Sequence, residues 1–175
     1  MTYEEFETEF CKLIEKYLYT CTPRNIHEMI LSWNFDNPKS AVIKIVNCKK
    51  TDKATALMLY WLMEPGYAKQ YEDADDLIKR DSAWYREDFN IIETLEENYL
   101  SNYYSSENFA FDPKNDYWGM DRTLNCEYEN CKRKIPNIML QPIKGIPVKE
   151  PNGWTDGIAP DIQKEYDELI SQVED

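Results

Sequence analysis

One histidine, His27, and five cysteines, Cys11, Cys21, Cys48, Cys126 and Cys131, are the residues of this chain most able to do chemistry. A thiol nucleophile would need His27 beside Cys11, Cys21 or Cys48, so that the imidazole can take the thiol proton. His27 falls in a short amphipathic run, however, and no cysteine stands in a local catalytic signature. A rim or core histidine fits better. Cys126 and Cys131 form a C-x4-C pair, which is half of a structural zinc site, but such sites usually bring a second pair of Cys or His ligands. Nothing after Cys131 supplies one. Two reduced thiols are the simpler reading, with no metal and no cofactor expected.

Carboxylates are abundant, and some pair of them could work as general acid and base. No motif selects one pair over another, and a glycosidase arrangement needs two carboxylates set apart across a cleft. The group Glu72, Asp73, Asp75 and Asp76 matches a calcium loop only in sign, because the central glycine and the glutamate at the twelfth position are missing. The five glycines are not clustered, so no phosphate cradle is present. No catalytic residue is assigned.

The charge balance points elsewhere. With 33 acidic and 20 basic residues the net charge is −13. Such a chain repels nucleic-acid backbones and anionic headgroups, so neither nucleic acid nor a membrane is an expected partner. It suits a basic protein, and it also keeps a protein soluble. Thirteen tyrosines and five tryptophans suit a core with a wet rim or a binding surface. No run approaches the roughly 18 consecutive apolar residues of a membrane span. The acidic start carries no secretion signal, so reduced thiols in the cytoplasm are expected.

Positioning these residues falls to a series of helices. Phe6, Phe10, Leu13, Ile14, Tyr17 and Leu18 make one amphipathic helix over 2–20, with Thr2 and Glu5 as a capping box. Thr22-Pro23 starts a second helix, and Asn37-Pro38 repeats the device for a third. Asp52 caps a fourth, which Pro65-Gly66 ends. Residues 67–81 are a loop or a helix with a thin apolar edge, Tyr71–Leu77–Ile78. Ser82 then caps the longest helix, over 83–104, with Trp84/Tyr85, Phe89, Ile92, Leu95, Tyr99 and Tyr103 as its stripe. Trp33, Trp61 and Trp84 read as core. Prolines break the pattern over 105–160, yet large apolar residues such as Phe109, Tyr117, Trp118 and Trp154 persist. That stretch reads as an ordered wrap, with short strands near 138–148 as an alternative to irregular chain. A last helix covers 161–175. The expectation is a mostly α fold in a single domain, 1–175: a compact bundle of short antiparallel helices and one long helix over 1–104, the wrap, and the C-terminal helix.

One family does come into view on particular residues. The run Ile26-His27, Trp33-Asn34-Phe35-Asp36, Cys48 and Asp52-Lys53-Ala54-Thr55-Ala56-Leu57 through Trp61 resembles a family of small bacterial proteins of unassigned function. Asn98-Tyr99-Leu100-Ser101-Asn102-Tyr103-Tyr104 and Phe111-Asp112-Pro113-Lys114-Asn115-Asp116 extend the likeness to about residues 25–116. Phe35 replaces a second tryptophan of the pattern, Ala54 a usual glycine, and Cys48 stands four residues from Asp52 instead of adjacent. Trp33, Asn34, Asp36, Asp52, Thr55 and Trp61 are the signature positions, with capping roles for Asp52 and Thr55 and packing roles for the two tryptophans. Some members occur where immunity proteins of polymorphic toxin systems occur. The resemblance therefore implies a non-enzymatic partner that neutralises a toxin. Its expected contacts are Tyr71, Glu72, Asp73, Asp75, Asp76, Glu93, Glu96, Glu97, Tyr103 and Tyr104. The alternatives are a hydrolase using a carboxylate pair in an aromatic-lined cleft, or a generic interaction domain.

Overall fold

The first two helices each begin where a side chain can hold the free N–H groups of the first turn. The computed structural model describes residues 1–124 and 130–173, so Cys126 of the C-x4-C pair lies outside the described residues. Helix α1, Tyr3–Thr20, has the expected box: Thr2 Oγ1 accepts from Glu5 N at 3.3 Å, and Glu5 Oε2 accepts from Thr2 N at 2.9 Å. Helix α2, Pro23–Leu31, has the same device between Thr22 and Asn25, with Pro23 in the first turn. The fold class is mostly α, as the periodicity predicts. Among the described residues no helix is long and apolar enough to cross a membrane.

The chain divides into two compact units, Met1–Thr51 with Val148–Asp175, and Asp52–Pro147. In the first, α1 packs against α3, Lys39–Val46, and α8, Gln163–Ile170. Phe10, Ile14, Ile26, Met29, Ile30, Val42 and Ile45 are buried in it. Helix α3 departs from expectation. It starts after Pro38, and Asn37 does not cap it, because the Asn37 amide donates to the Asp156 carbonyl at 2.8 Å. The turn fixed in this way carries Gly157 at φ +83°, where a Cβ would lie 2.5 Å from Trp33 Cε3. Trp33 packs on bare backbone there and meets Phe10 at 6.4 Å between ring centroids. Lys50 closes the end of α1, its ammonium donating to the carbonyls of Leu18, Tyr19 and Cys21 at 3.0, 2.7 and 3.1 Å.

The second unit is built on α4, Lys53–Leu62, and α7, Arg86–Leu100, with α5, Pro65–Ala68, and α6, Ala74–Lys79, also packed against α7. Residues 54–61 of α4 are all buried, so this helix is enclosed on every side. Asp52, itself fully buried, caps it: Oδ1 accepts from Ala54 N at 3.0 Å, while Oδ2 accepts from Asn108 N at 2.8 Å. Thr55 is buried in the first turn of this helix. Asp52→Ala strips one buried and one part-buried N–H group of their acceptor. We expect a loss of about 2 kcal/mol in urea unfolding, and a loss below about 0.5 kcal/mol would mean that water replaces the carboxylate.

Three boundaries differ from the sequence reading. Helix α4 ends at Leu62, before Pro65. Glu64 turns left-handed at φ 54°, and Pro65 opens α5 instead of closing α4. Residues 67–81 contain α6, capped by Asp73, with Tyr71 and Leu77 buried but Ile78 exposed. The helix expected over 83–104 is a 3-10 turn, Ala83–Tyr85, followed by α7, and it is shorter than α1, at 15 against 18 residues. Ser82 does not cap it; its hydroxyl accepts from Tyr71 OH at 3.0 Å and donates to the Arg80 carbonyl at 3.3 Å.

Among the described residues the wrap forms isolated bridges in place of strands. Phe109 pairs with Ile146 and Phe111 with Ile143. Gly145 permits the close crossing, since a Cβ there would lie 2.5 Å from the Phe109 backbone. Met139 O accepts from Trp61 Nε1 at 2.8 Å. Buried Asp116 holds the next turn, accepting from the Trp118 and Met120 amides at 2.9 and 2.8 Å and from Arg122 Nε at 2.6 Å. This turn leaves Tyr117 and Trp118 partly exposed, with Arg122 over the Trp118 ring.

Candidate interaction surface

The expected contact residues lie in the second unit, and the structure separates them into internal and external groups. Glu93 and Glu96, one turn apart on α7, turn toward Lys69 on the α5 side. Lys69 is only 1% exposed, and its ammonium lies 3.3 Å from Glu93 Oε1 and 2.7 Å from Glu96 Oε2. Arg133 completes the cluster with a two-pronged contact to Glu93, and its guanidinium also donates to the carbonyls of Tyr71 and Ala68. Tyr60 OH donates to Glu96 Oε2 at 2.7 Å. Two carboxylates thus meet two cations in a low-dielectric site.

Burial pushes the Glu93 carboxyl up, but the Arg133 hydrogen bonds and the Lys69 charge outweigh it and hold it below the usual range. Burial and then the Glu96 charge push the Tyr60 phenol up. Glu93 and Glu96 therefore serve the fold, and of the predicted acidic edge of α7 only Glu97 is exposed. Asp76 is also internally engaged. It pairs with Lys132 at 2.9 Å and accepts from Glu72 N at 3.1 Å; the Lys132 hydrogen bond holds its pKa down. Glu72, Asp73 and Asp75 are exposed, as expected, although Asp73 is also the cap of α6.

The predicted aromatic contacts need correction. Tyr71 and Tyr104 are each 3% exposed, buried by the packing around α7, and cannot present their rings to a partner; Tyr103 is half-buried. Trp84, expected in the core, is 74% exposed. The sequence did hold the signal. Stepping back four residues from Phe89 along its stripe reaches Tyr85, which is buried, and leaves Trp84 outside. Tyr67, Trp84 and Tyr85 form a cluster of rings, with Tyr67 and Tyr85 edge to face at 4.7 Å. Sequence reasoning had not singled out Tyr67.

His27 is 2% exposed, and burial, then the Arg24 charge, push its pKa down to about 4. It is a neutral core residue at pH 7. Burial likewise pushes the Cys21 thiol up to about 11, away from the thiolate form. Among the described residues no group of three or more His, Cys, Asp or Glu is placed to hold a metal ion. The first unit has a groove of about 330 Å³ between α1 and α8. Its lining includes Glu9, Lys12, Lys16 and Glu165, paired as Lys12–Glu9 and Lys16–Glu165, and no aromatic ring. Among the described residues, the carboxyls whose pKa is displaced, Glu5, Asp76, Glu93 and Asp121, are held down by hydrogen bonds and nearby cations.

Fold and surface together define a mostly helical protein with exposed acids and an exposed tryptophan on the segment leading into α7. Residues 21–100 match the model of a family described as a domain of unknown function, DUF4274. That match covers α2 to α7 and spans all six signature positions, Trp33, Asn34, Asp36, Asp52, Thr55 and Trp61. No curated protein matches the chain. No solved structure matches it either.

Proposed function

We propose that this chain is a non-enzymatic, cytoplasmic binding protein that acts as an immunity protein, neutralising a basic toxin domain by direct contact. The observation that carries the reading is the segment 72–97, where Glu72, Asp73, Asp75, Glu87 and Glu97 are exposed together with Trp84. Basic faces are what nuclease toxins need to hold phosphates, and an acidic inhibitor meets such a face quickly through electrostatic steering. The exposed ring supplies the kind of residue that dominates binding energy once the surfaces touch. The resemblance to proteins found beside polymorphic toxins, and the net charge of −13, agree with this.

The test is co-purification with the product of the neighbouring gene, followed by stopped-flow association. Glu72→Lys with Asp75→Lys leaves the Asp73 cap intact and should slow association about 5- to 10-fold at low salt, with little change at high salt. An on-rate that matches the wild type at low salt would remove this surface from the encounter. A neighbour that is not a large secreted multidomain protein, and that does not co-purify, would remove the immunity role.

A further inference from the structure

Within the first unit, Cys21 and Cys48 fall at the same level of the fold. Helices α1 and α3 pack side by side in parallel, and three contacts fix how they are matched. Cys11 Sγ lies 3.6 Å from the Ser40 carbonyl oxygen, Lys44 pairs with Glu15 at 3.1 Å, and Lys50 reaches the Tyr19 carbonyl at 2.7 Å. The offset between matched residues is 29 at Cys11–Ser40 and 31 at Tyr19–Lys50. That offset carries Cys48 to the last turn of α1. Cys21 follows this turn, but its thiol folds back over it, with Sγ 3.8 Å from the Leu18 carbonyl oxygen.

Lys50, two residues after Cys48, ties the two stretches together. Its ammonium donates to the Leu18 carbonyl at 3.0 Å, the same oxygen that Cys21 Sγ approaches, and to the Cys21 carbonyl at 3.1 Å. The Thr51 N–H donates to the Cys48 carbonyl at 3.0 Å and closes the turn that carries Cys48 and Lys50. Both thiols are free; Cys21 is buried and Cys48 half-buried. The capping of α1 by Lys50 uses backbone carbonyls alone, so it has no need of a thiol at either position. A cation held beside thiols favours the thiolate, which is the reactive form.

We propose that Cys21 and Cys48 are an oxidisable pair that closes to a disulfide on reaction with a hydroperoxide. Cys48, the more accessible of the two, reacts first. Its thiolate sulfur attacks the peroxide, an S–O bond forms as the O–O bond breaks, and the departing hydroxide or alkoxide takes up a proton. The Cys21 sulfur then attacks the Cys48 sulfenic acid. The S–S bond forms, the S–O bond breaks, and the oxygen leaves as water with the Cys21 proton. Two electrons pass from the thiols to one peroxide, and a dithiol reductant returns them. The closed loop holds α2 and the signature residues Trp33, Asn34 and Asp36, so oxidation fastens this part of the fold to the end of α1.

The test treats the full chain with a small excess of hydrogen peroxide, stops the reaction with iodoacetamide and maps the cysteine peptides by mass spectrometry. A peptide joining Cys21 to Cys48 should appear, and dithiothreitol should abolish it. Cys21→Ser should halt the reaction at the sulfenic acid, which dimedone traps on Cys48, whereas Cys48→Ser should leave Cys21 reduced. Cys11→Ser, Cys126→Ser and Cys131→Ser combined leave only the pair. The melting temperature of that variant should rise by about 5–10 °C on oxidation, as for a bond that closes a loop of this length. Alkylation of both Cys21 and Cys48 after peroxide treatment, or disulfides that join other cysteines instead, overturns the pair. So does a Cys48 that proceeds to sulfinic acid while Cys21 stays free. The bond itself is measured, so the outcome does not depend on the proposed binding role.

Discussion

Lys69→Ala is expected to lower folding stability by about 3–5 kcal/mol, as for a buried ion pair that loses one partner. The reason lies in what remains. Among the described residues, Glu96 keeps the Tyr60 hydroxyl within hydrogen-bond reach, and Glu93 keeps Arg133. The Glu96 carboxylate then loses its direct ion-pair partner and keeps only the more distant charge of Arg133, so it must either draw in water or take up a proton. Urea unfolding at pH 7 measures the loss. Lys69→Met separates charge from packing, since it fills most of the same volume. If charge dominates, methionine loses nearly as much as alanine, and the double change Lys69→Met with Glu96→Gln regains part of it. A loss below about 1 kcal/mol in Lys69→Ala would show that the cluster is hydrated and that its geometry contributes little. The same cluster gives a pH signature. The Glu93 pKa is depressed in the folded state, so its contribution is present above the ordinary glutamate value and is lost as pH falls through the folded value.

The second large effect belongs to His27. In the unfolded chain its imidazole takes a proton near the ordinary value of 6.5, whereas in the folded protein burial delays this to about 4. A depressed folded pKa means that stability from this residue is complete above 6.5 and declines as pH falls from 6.5 to about 4. The separation corresponds to about 3 kcal/mol. Stability measured by urea between pH 7.5 and 4 should follow that decline, ahead of the Glu93 contribution at lower pH. His27→Gln carries no titrating group and should flatten the curve between 6.5 and 4.5. An equally steep curve in that variant would place the proton uptake on other residues. The practical reading is a protein that weakens in mild acid well before its carboxylates are protonated.

How much of this could be read from the sequence depended on the distance between partners. Thr2 with Glu5, Thr22 with Asn25, and Asp52 with Ala54 were legible because each cap completes itself within three residues. Asn37 has the right type and place for a cap, but its amide is used on a carbonyl 119 residues away, and nothing local announces that. Ser82 fails as a cap for a similar reason, since its hydroxyl faces Tyr71. The acidity of 72–97 was plain from composition. Which of its acids are available was not, because the cations that engage Glu93 and Asp76 include Arg133 and Lys132, which lie far along the chain beyond α7. Trp84 lay between the two cases: the stripe admitted Trp84 or Tyr85, and the 3-10 turn before α7 buries Tyr85 and leaves Trp84 exposed.

Asp52 bears on how fast this chain can reach its native state. One of its oxygens organises the helix that follows at once, and the other grips a backbone amide 56 residues later in the chain. The start of the most enclosed helix is therefore not finished until a distant stretch has returned to it. The entropy of closing so long a loop is spent before the second bond gives anything back. Helix initiation and the arrival of the wrap become a single kinetic event, and the slow step in folding this unit is a search through chain conformations, not the winding of any one helix.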